Sequence, residues 1–242
     1  MKGHMSLKIK SQLLASAMII SAIMGPMAVG EASAENGAAT RALQCGKACM
    51  KKGDYKSAAK DFESAVKLEP KTCESHFLLG QTYCKLKNYA QAKKELRAAI
   101  RVGKGSAFAQ KANVALMALP KQFQSPRTGP ETRMIASMLG LTRDRGGSSR
   151  PTVIDFYAPW CQPCKQLDAA LEKAKTQYGD KINFMHVDVD DPNNEKLLDQ
   201  YEVSPIPTMV FLNPEGEVVT FSIGFSGDSS VNDGIKKILT QG

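Results

Sequence analysis

Apolar positions change rhythm once along this chain. Over residues 39–119 they recur at helical intervals with charged residues between them, the pattern of amphipathic helices. From residue 152 onward they gather instead into short runs at 152–157, 182–189, 208–212 and 218–223, and these predict strands. The turn Asn213-Pro214-Glu215-Gly216 separates the last two runs, which must therefore be antiparallel to each other. Helical periodicity fills the intervals at 161–178, 194–201 and 229–239. Strands alternating with helices predict an α/β sheet covered on both faces.

The helical half also repeats itself. Gly46 returns as Gly80, Tyr55 as Tyr89, Ala58 as Ala92, Phe62 as Leu96 and Ala65 as Ala99, a period of 34 residues, and Pro70 closes the first unit. This period and these residue types resemble tetratricopeptide repeats. The resemblance implies pairs of antiparallel helices that approach at alanine and glycine, with aromatic residues filling the remaining space. The units are expected at 39–68 and 73–101, with 107–119 as a capping helix. Two repeats stand at the lower edge of independent stability, so the cap, a disulfide or a second domain should support them. The predicted layout is a leader at 1–34, all-α repeats with their cap at 35–119, a connection at 120–150 and an α/β domain at 151–242. The connection is expected to hold one short helix at 131–141 and to end in a partly flexible Gly146-Gly147-Ser148-Ser149 stretch.

Candidate chemistry concentrates where the first strand run meets the helix after it, through Ala158-Pro159-Trp160-Cys161-Gln162-Pro163-Cys164. A thiol at a helix start lies near unpaired N–H groups and the positive end of the helix dipole, which favour its thiolate. Cys161 is thus expected to be an exposed nucleophile and Cys164 a buried resolving thiol, able to close a redox disulfide with it. Trp160 would form an apolar rim. Half of a zinc site is the other reading of such a pair, but after Cys164 only His186 offers a further nitrogen or sulfur ligand.

The pair, together with Ile206-Pro207-Thr208 placed 43 residues after Cys164 at the head of a strand run, resembles the thioredoxin family from about residue 151 to 242. That resemblance implies a thioredoxin-like fold and thiol–disulfide oxidoreductase activity without metal or organic cofactor. It makes Pro207 a cis proline facing the cysteine pair and gives Ile206 a backbone role in holding an extended substrate segment, with Trp160 and Thr208 beside it. It matches Asp155 to a buried carboxylate that exchanges protons with Cys164, its pKa raised by desolvation. It also brings His186 toward the site, where many thioredoxins carry a lysine. Gln162 and Tyr157 depart from the glycine and tryptophan usual in the family, and Gln162 bears on the redox potential.

The N-terminal run from Leu13 to Val29, preceded by Lys8 and Lys10 and followed by Ala32-Ser33-Ala34, reads as a secretory signal cleaved after Ala34. Its alternative is an uncleaved membrane anchor. Export, with a bacterial periplasm as the expected compartment, invites disulfides among Cys45, Cys49, Cys73 and Cys84. Three complete pairings are possible, axial height favours Cys49 with Cys84, and four small buried side chains are the other reading. Charge divides the chain: residues 35–150 carry 22 Lys+Arg against 9 Asp+Glu, and residues 151–242 carry 7 against 14. The basic half is expected to bind an acidic protein partner, an anionic membrane surface or its own acidic domain. No aromatic–basic motif for nucleic acid appears. The expected function is therefore an exported reductase of protein disulfides. Its substrates would be proteins bearing disulfides or thiols, its repeats would recruit partners, and a membrane thiol carrier would supply electrons. A disulfide oxidase or isomerase is the alternative within the class, and a repeat-based scaffold with regulatory thiols the alternative outside it.

Overall fold

In the computed structural model, which describes residues 27–128, 130–142 and 150–240, two glycines one repeat apart set how the helical half packs. The first helix pair is α1 (Met27–Lys51) and α2 (Tyr55–Leu68), and the second is α3 (Cys73–Lys85) and α4 (Tyr89–Gly103). A β-carbon on Gly46 would stand 2.6 Å from the Phe62 ring, and one on Gly80 would stand 2.7 Å from Leu96. Both large side chains are wholly buried, so each glycine is the recess that its partner helix fills. The fifth helix, α5 (Ala107–Met117), starts at Ser106, whose Oγ accepts the Ala109 N–H at 3.2 Å; it packs on α4 and α3, and the one-turn α6 (Lys121–Gln124) follows it.

Cys45, Cys49, Cys73 and Cys84 are free thiols, which corrects the expected Cys49–Cys84 bridge. Two of the sulfurs turn to local partners. Cys49 Sγ points at Asp61 at 3.6 Å, and Cys73 Sγ donates to the Ala99 carbonyl at 3.1 Å. Equal height along two helices does not aim two side chains at the same point.

The second half holds a mixed sheet in the order β2-β1-β3-β4, from β1 (Thr152–Tyr157), β2 (Asn183–Asp188), β3 (Thr208–Leu212) and β4 (Val218–Ile223). β1 runs parallel to β2 and antiparallel to β3, and β3 runs antiparallel to β4. Alternation along the strands divides the core. Val153, Met209 and Phe211 pack with Leu167, Ala170, Leu171, Ile235 and Ile238 of α8 (Gln162–Tyr178) and α10 (Asp228–Thr240). On the other face, Ile154, Phe156, Val210 and Leu212 pack with Ile135 and Ala136 of α7 (Pro130–Met138) and with Leu197 and Tyr201 of α9 (Glu195–Tyr201).

That second core does not stop at the sheet. It continues through Val203 and Ile206 into Leu96, Ile100, Ala112 and Leu116, so the helical layer and the sheet share one apolar interior. The basic half holds its own acidic half around the rim. Arg97 meets Asp199 at 2.9 Å, Arg101 meets Glu195 at 2.8 Å, Lys93 meets Glu202 at 3.6 Å, and Arg127 also pairs with Glu202.

The connection between the halves, expected as a partly flexible tether, packs along its described part. The Arg127 N–H donates to the Tyr201 carbonyl at 2.8 Å, and the short helix falls at Pro130–Met138 rather than 131–141, against α9. The Gly-Gly-Ser-Ser stretch and most of the expected leader lie outside the described residues. Among the described residues no helix is long and apolar enough to cross a membrane.

The glycine recesses give a direct test. In an exposed helix, glycine to alanine gains about 1 kcal/mol from propensity. Gly80→Ala should instead lose roughly 1–3 kcal/mol, because the added methyl overpacks against Leu96. Urea unfolding followed by circular dichroism measures the difference, and a stabilised variant would mean that Leu96 yields.

Candidate functional site

Two cysteines end up at the head of α8 because β1 feeds straight into it. The loop Ala158-Pro159-Trp160 turns the chain, the Cys161 N–H donates to the Ala158 carbonyl at 3.0 Å, and Pro163 occupies the first helical turn, where its missing N–H costs nothing. Cys161 is the N-cap, and its Sγ accepts the Cys164 N–H at 3.2 Å. The two sulfurs form a disulfide across Cα atoms 5.2 Å apart. That N–H and the positive end of the helix dipole are both aimed at Cys161 Sγ.

The structure brings several of the expected residues around this disulfide. The Ile206–Pro207 peptide bond is cis. Ile206 shares the apolar cluster of Cys161 and Cys164, while Thr208 is buried and donates to the Pro205 carbonyl at 2.7 Å. Trp160 does not stand free as a rim. Its Nε1–H donates to Asp190 Oδ2 at 2.7 Å, and its ring lies against Gly105 of the α4–α5 turn. Cys161, expected to be exposed, has only 2% of its surface accessible. On either side of it the helical layer touches the redox domain, Gly105 at Trp160 and Asn113 at Ile206.

Asp155 is buried on the face of β1 that meets α8, where it shares a cavity of about 10 Å³ with Leu171, Lys175 and His186. Burial pushes its carboxyl above the usual range, and His186 pulls the other way. His186 Nδ1 lies 2.8 Å from Asp155 Oδ2, across the β1–β2 register. It is close enough to act by charge but out of line for a hydrogen bond, and both Asp155 oxygens lack a hydrogen-bond partner among the described residues. The imidazole stacks on Tyr157, with ring centroids 3.6 Å apart, and is partly open to solvent. Asp168, one turn past Cys164 on α8, completes a group of three with ligand atoms within 4.8 Å. Two carboxylates and an imidazole are donors for a cation, but Lys175 lines the same cavity and its volume is marginal for a single water.

Sequence reasoning missed Asp190, Gly105 and Asn113. Asp190 sits in an acidic run that marks no particular role, and its carboxyl is pushed up by burial while the Trp160 bond opposes that shift. Asn113 carried one signal, a polar side chain on the stripe of α5 that buries Ala109, Ala112 and Leu116.

Residues 144–237 match the family described as Thioredoxin, residues 46–87 match the TPR repeat, and residues 74–102 match the tetratricopeptide repeat. The thioredoxin of Bacillus subtilis (strain 168) is 39% identical over 85 residues, covering 35% of this chain and 79% of that one. The thioredoxin of Mycolicibacterium smegmatis is 34% identical over 85 residues, 35% of this chain and 75% of that one. The chloroplastic thioredoxin-like protein HCF164 of Arabidopsis thaliana is 42% identical over 69 residues, which span 28% of this chain and only 26% of that protein.

Asp155 yields a pH-dependent test. With its folded pKa raised by burial, the carboxyl favours folding fully only below its ordinary value of about 3.9. That contribution is lost as pH rises through the raised folded value. Asp155→Asn is neutral throughout and should be more stable than the parent near pH 8, with the advantage closing near pH 4. Urea midpoints at the two pH values measure it, and equal offsets at both would remove the buried-carboxyl account.

Proposed function

The chain belongs to the thioredoxin family, and from that premise we propose that it is an exported reductase of protein disulfides, with tetratricopeptide repeats that recruit its partners. It is a thiol–disulfide oxidoreductase. One observation carries the assignment of roles: the Cys161 sulfur caps α8 and accepts the Cys164 N–H at 3.2 Å, within a disulfide that the same helix start can also hold open as thiolate and thiol.

In the reduced state, the Cys161 thiolate attacks one sulfur of a substrate disulfide. The substrate S–S bond breaks, a bond forms to Cys161, and the leaving sulfur takes up a proton. Cys164 then gives up its proton and attacks the Cys161 sulfur, which forms the internal disulfide and releases the second substrate thiol. Two electrons pass from the dithiol to the substrate, and the substrate sulfurs end protonated. Asp155 is the acceptor proposed for the Cys164 proton, with Asp168 and His186 grouped beside it and His186 as the exit to solvent. A dithiol donor, such as a membrane thiol carrier, must return two electrons before the next turnover. Export rests on the N-terminal run of residues 13–29 and the small residues that follow it.

The reduction potential separates reductase from oxidase. Equilibrated against a dithiol buffer, the Cys161–Cys164 couple should fall near the value of about −270 mV typical of reducing thioredoxins. A value near about −120 mV, the range of strong periplasmic oxidants, would reverse the proposed direction. Cys161→Ser should abolish reduction of insulin disulfides, and activity retained in that variant would favour the scaffold reading. Recovery of the full-length protein in the cytoplasmic rather than the exported fraction would remove the export proposal.

A further inference from the structure

One contact between the halves is chemically unlike the rest. Asn113, in the middle of α5 and 7% exposed, turns its carboxamide onto a single residue of the other half. Its Nδ2–H donates to the Ile206 carbonyl at 2.9 Å, and its Oδ1 accepts the Ile206 N–H at 2.8 Å. A carboxamide places one donor and one acceptor side by side, as a peptide group does. Satisfying both main-chain groups of one residue is what an adjacent extended segment does across an antiparallel ladder. Ile206 directly precedes Pro207 and shares the apolar cluster of Cys161 and Cys164, so this position flanks the disulfide.

Two further contacts close the surroundings. Gly105, at φ +83°, brings the α4–α5 turn so near Trp160 that a β-carbon there would stand 2.6 Å from the indole. Met117, at the end of α5, reaches the loop at Gly224, whose N–H donates to the Pro207 carbonyl at 2.8 Å. Cys161, flanked by these contacts, is 2% exposed. Thiol–disulfide exchange needs a sulfur from outside to reach this one, so its rate depends on access.

We propose that α5 and the α4–α5 turn are a self-docked cover in which Asn113 occupies the main-chain position of an incoming extended protein segment. The site then accepts a protein disulfide only after the helical layer has moved off. The cover rests on geometry, and its consequence for turnover rests on the oxidoreductase reading above. The partner that fits is a protein whose disulfide lies in a stretch able to become extended, since only a free N–H and C=O pair replaces what Asn113 supplies at Ile206. The rim supplies the complementary weak restraint: Arg101 and Glu195 are each about half exposed, so their ion pair is modest and screened by salt.

The test uses the full chain in its reduced state. Brief alkylation with iodoacetamide near neutral pH, followed by peptide mapping, gives the labelling rate of Cys161, with exposed Cys45 as internal reference. Insulin reduction is followed in parallel. Asn113→Ala leaves both Ile206 groups unpaired in the closed state while favouring the helix itself. It should speed Cys161 labelling by roughly ten-fold or more relative to Cys45. Arg101→Glu, on the exposed rim, should speed it by a few-fold at most, and combining it with Glu195→Arg should restore the parental rate. Rising salt should move the parent in the same direction as Arg101→Glu. Faster labelling without insulin reduction in any form would support the cover and overturn the reductase reading. Parental labelling rates in both Asn113→Ala and Arg101→Glu would overturn the cover, whatever the insulin rates.

Discussion

The paired hydrogen bonds between the Asn113 carboxamide and the main chain of Ile206 fix where the helical layer sits on the redox domain. Both ends are buried, so a small slip of α5 would leave two polar groups facing an apolar interior, at about 1–3 kcal/mol each. This penalty makes the contact a setter of register. Strength comes from elsewhere, from the continuous packing of Leu96, Ala112 and Leu116 with Ile206 and its neighbours. The rim pairs of Arg97, Arg101 and Lys93 with Asp199, Glu195 and Glu202 add direction rather than much energy, since charge complementarity governs approach and orientation more than affinity.

The division of labour explains what the sequence made legible. Local rules wrote themselves plainly: β1 covers 152–157 as its apolar run predicts, and α8 starts one residue after the expected Cys161 because that cysteine is the cap. Gly46 and Gly80 were readable as close-approach sites, since a helix pair has few ways to bury Phe62 or Leu96. Asp155 was readable as buried through its match to the family's buried carboxylate. The burial of Cys161 was not readable, because exposure depends on tertiary packing that a local helix-start rule does not contain. Asn113 gave a hint that composition cannot interpret, as a polar residue on a buried stripe declares a partner without naming it. The free thiols failed for a smaller reason. Helix geometry fixes the height of a cysteine, whereas its rotamer and nearest acceptor fix where the sulfur points, and Asp61 and the Ala99 carbonyl were closer than any second thiol.

Two features of the redox domain run against stability and belong together. A buried carboxyl without a hydrogen-bond partner at Asp155 is a group that a purely structural core would have replaced by an apolar residue. Its neighbour across the β1–β2 register is His186, which stacks on Tyr157 and is partly open to water. Such a group is tolerated because β1 and β3 are otherwise buried by ordinary apolar packing.

The placement of Trp160 has an optical consequence. It is the single tryptophan of the chain, so the intrinsic indole emission of the whole molecule originates at one spot. At that spot the ring lies against Gly105, is held by Asp190, and adjoins a disulfide, whose sulfurs quench indole fluorescence. Emission wavelength therefore gauges whether the mouth of the site is dry, and emission intensity gauges its oxidation state, without a label or a substitution anywhere in the protein.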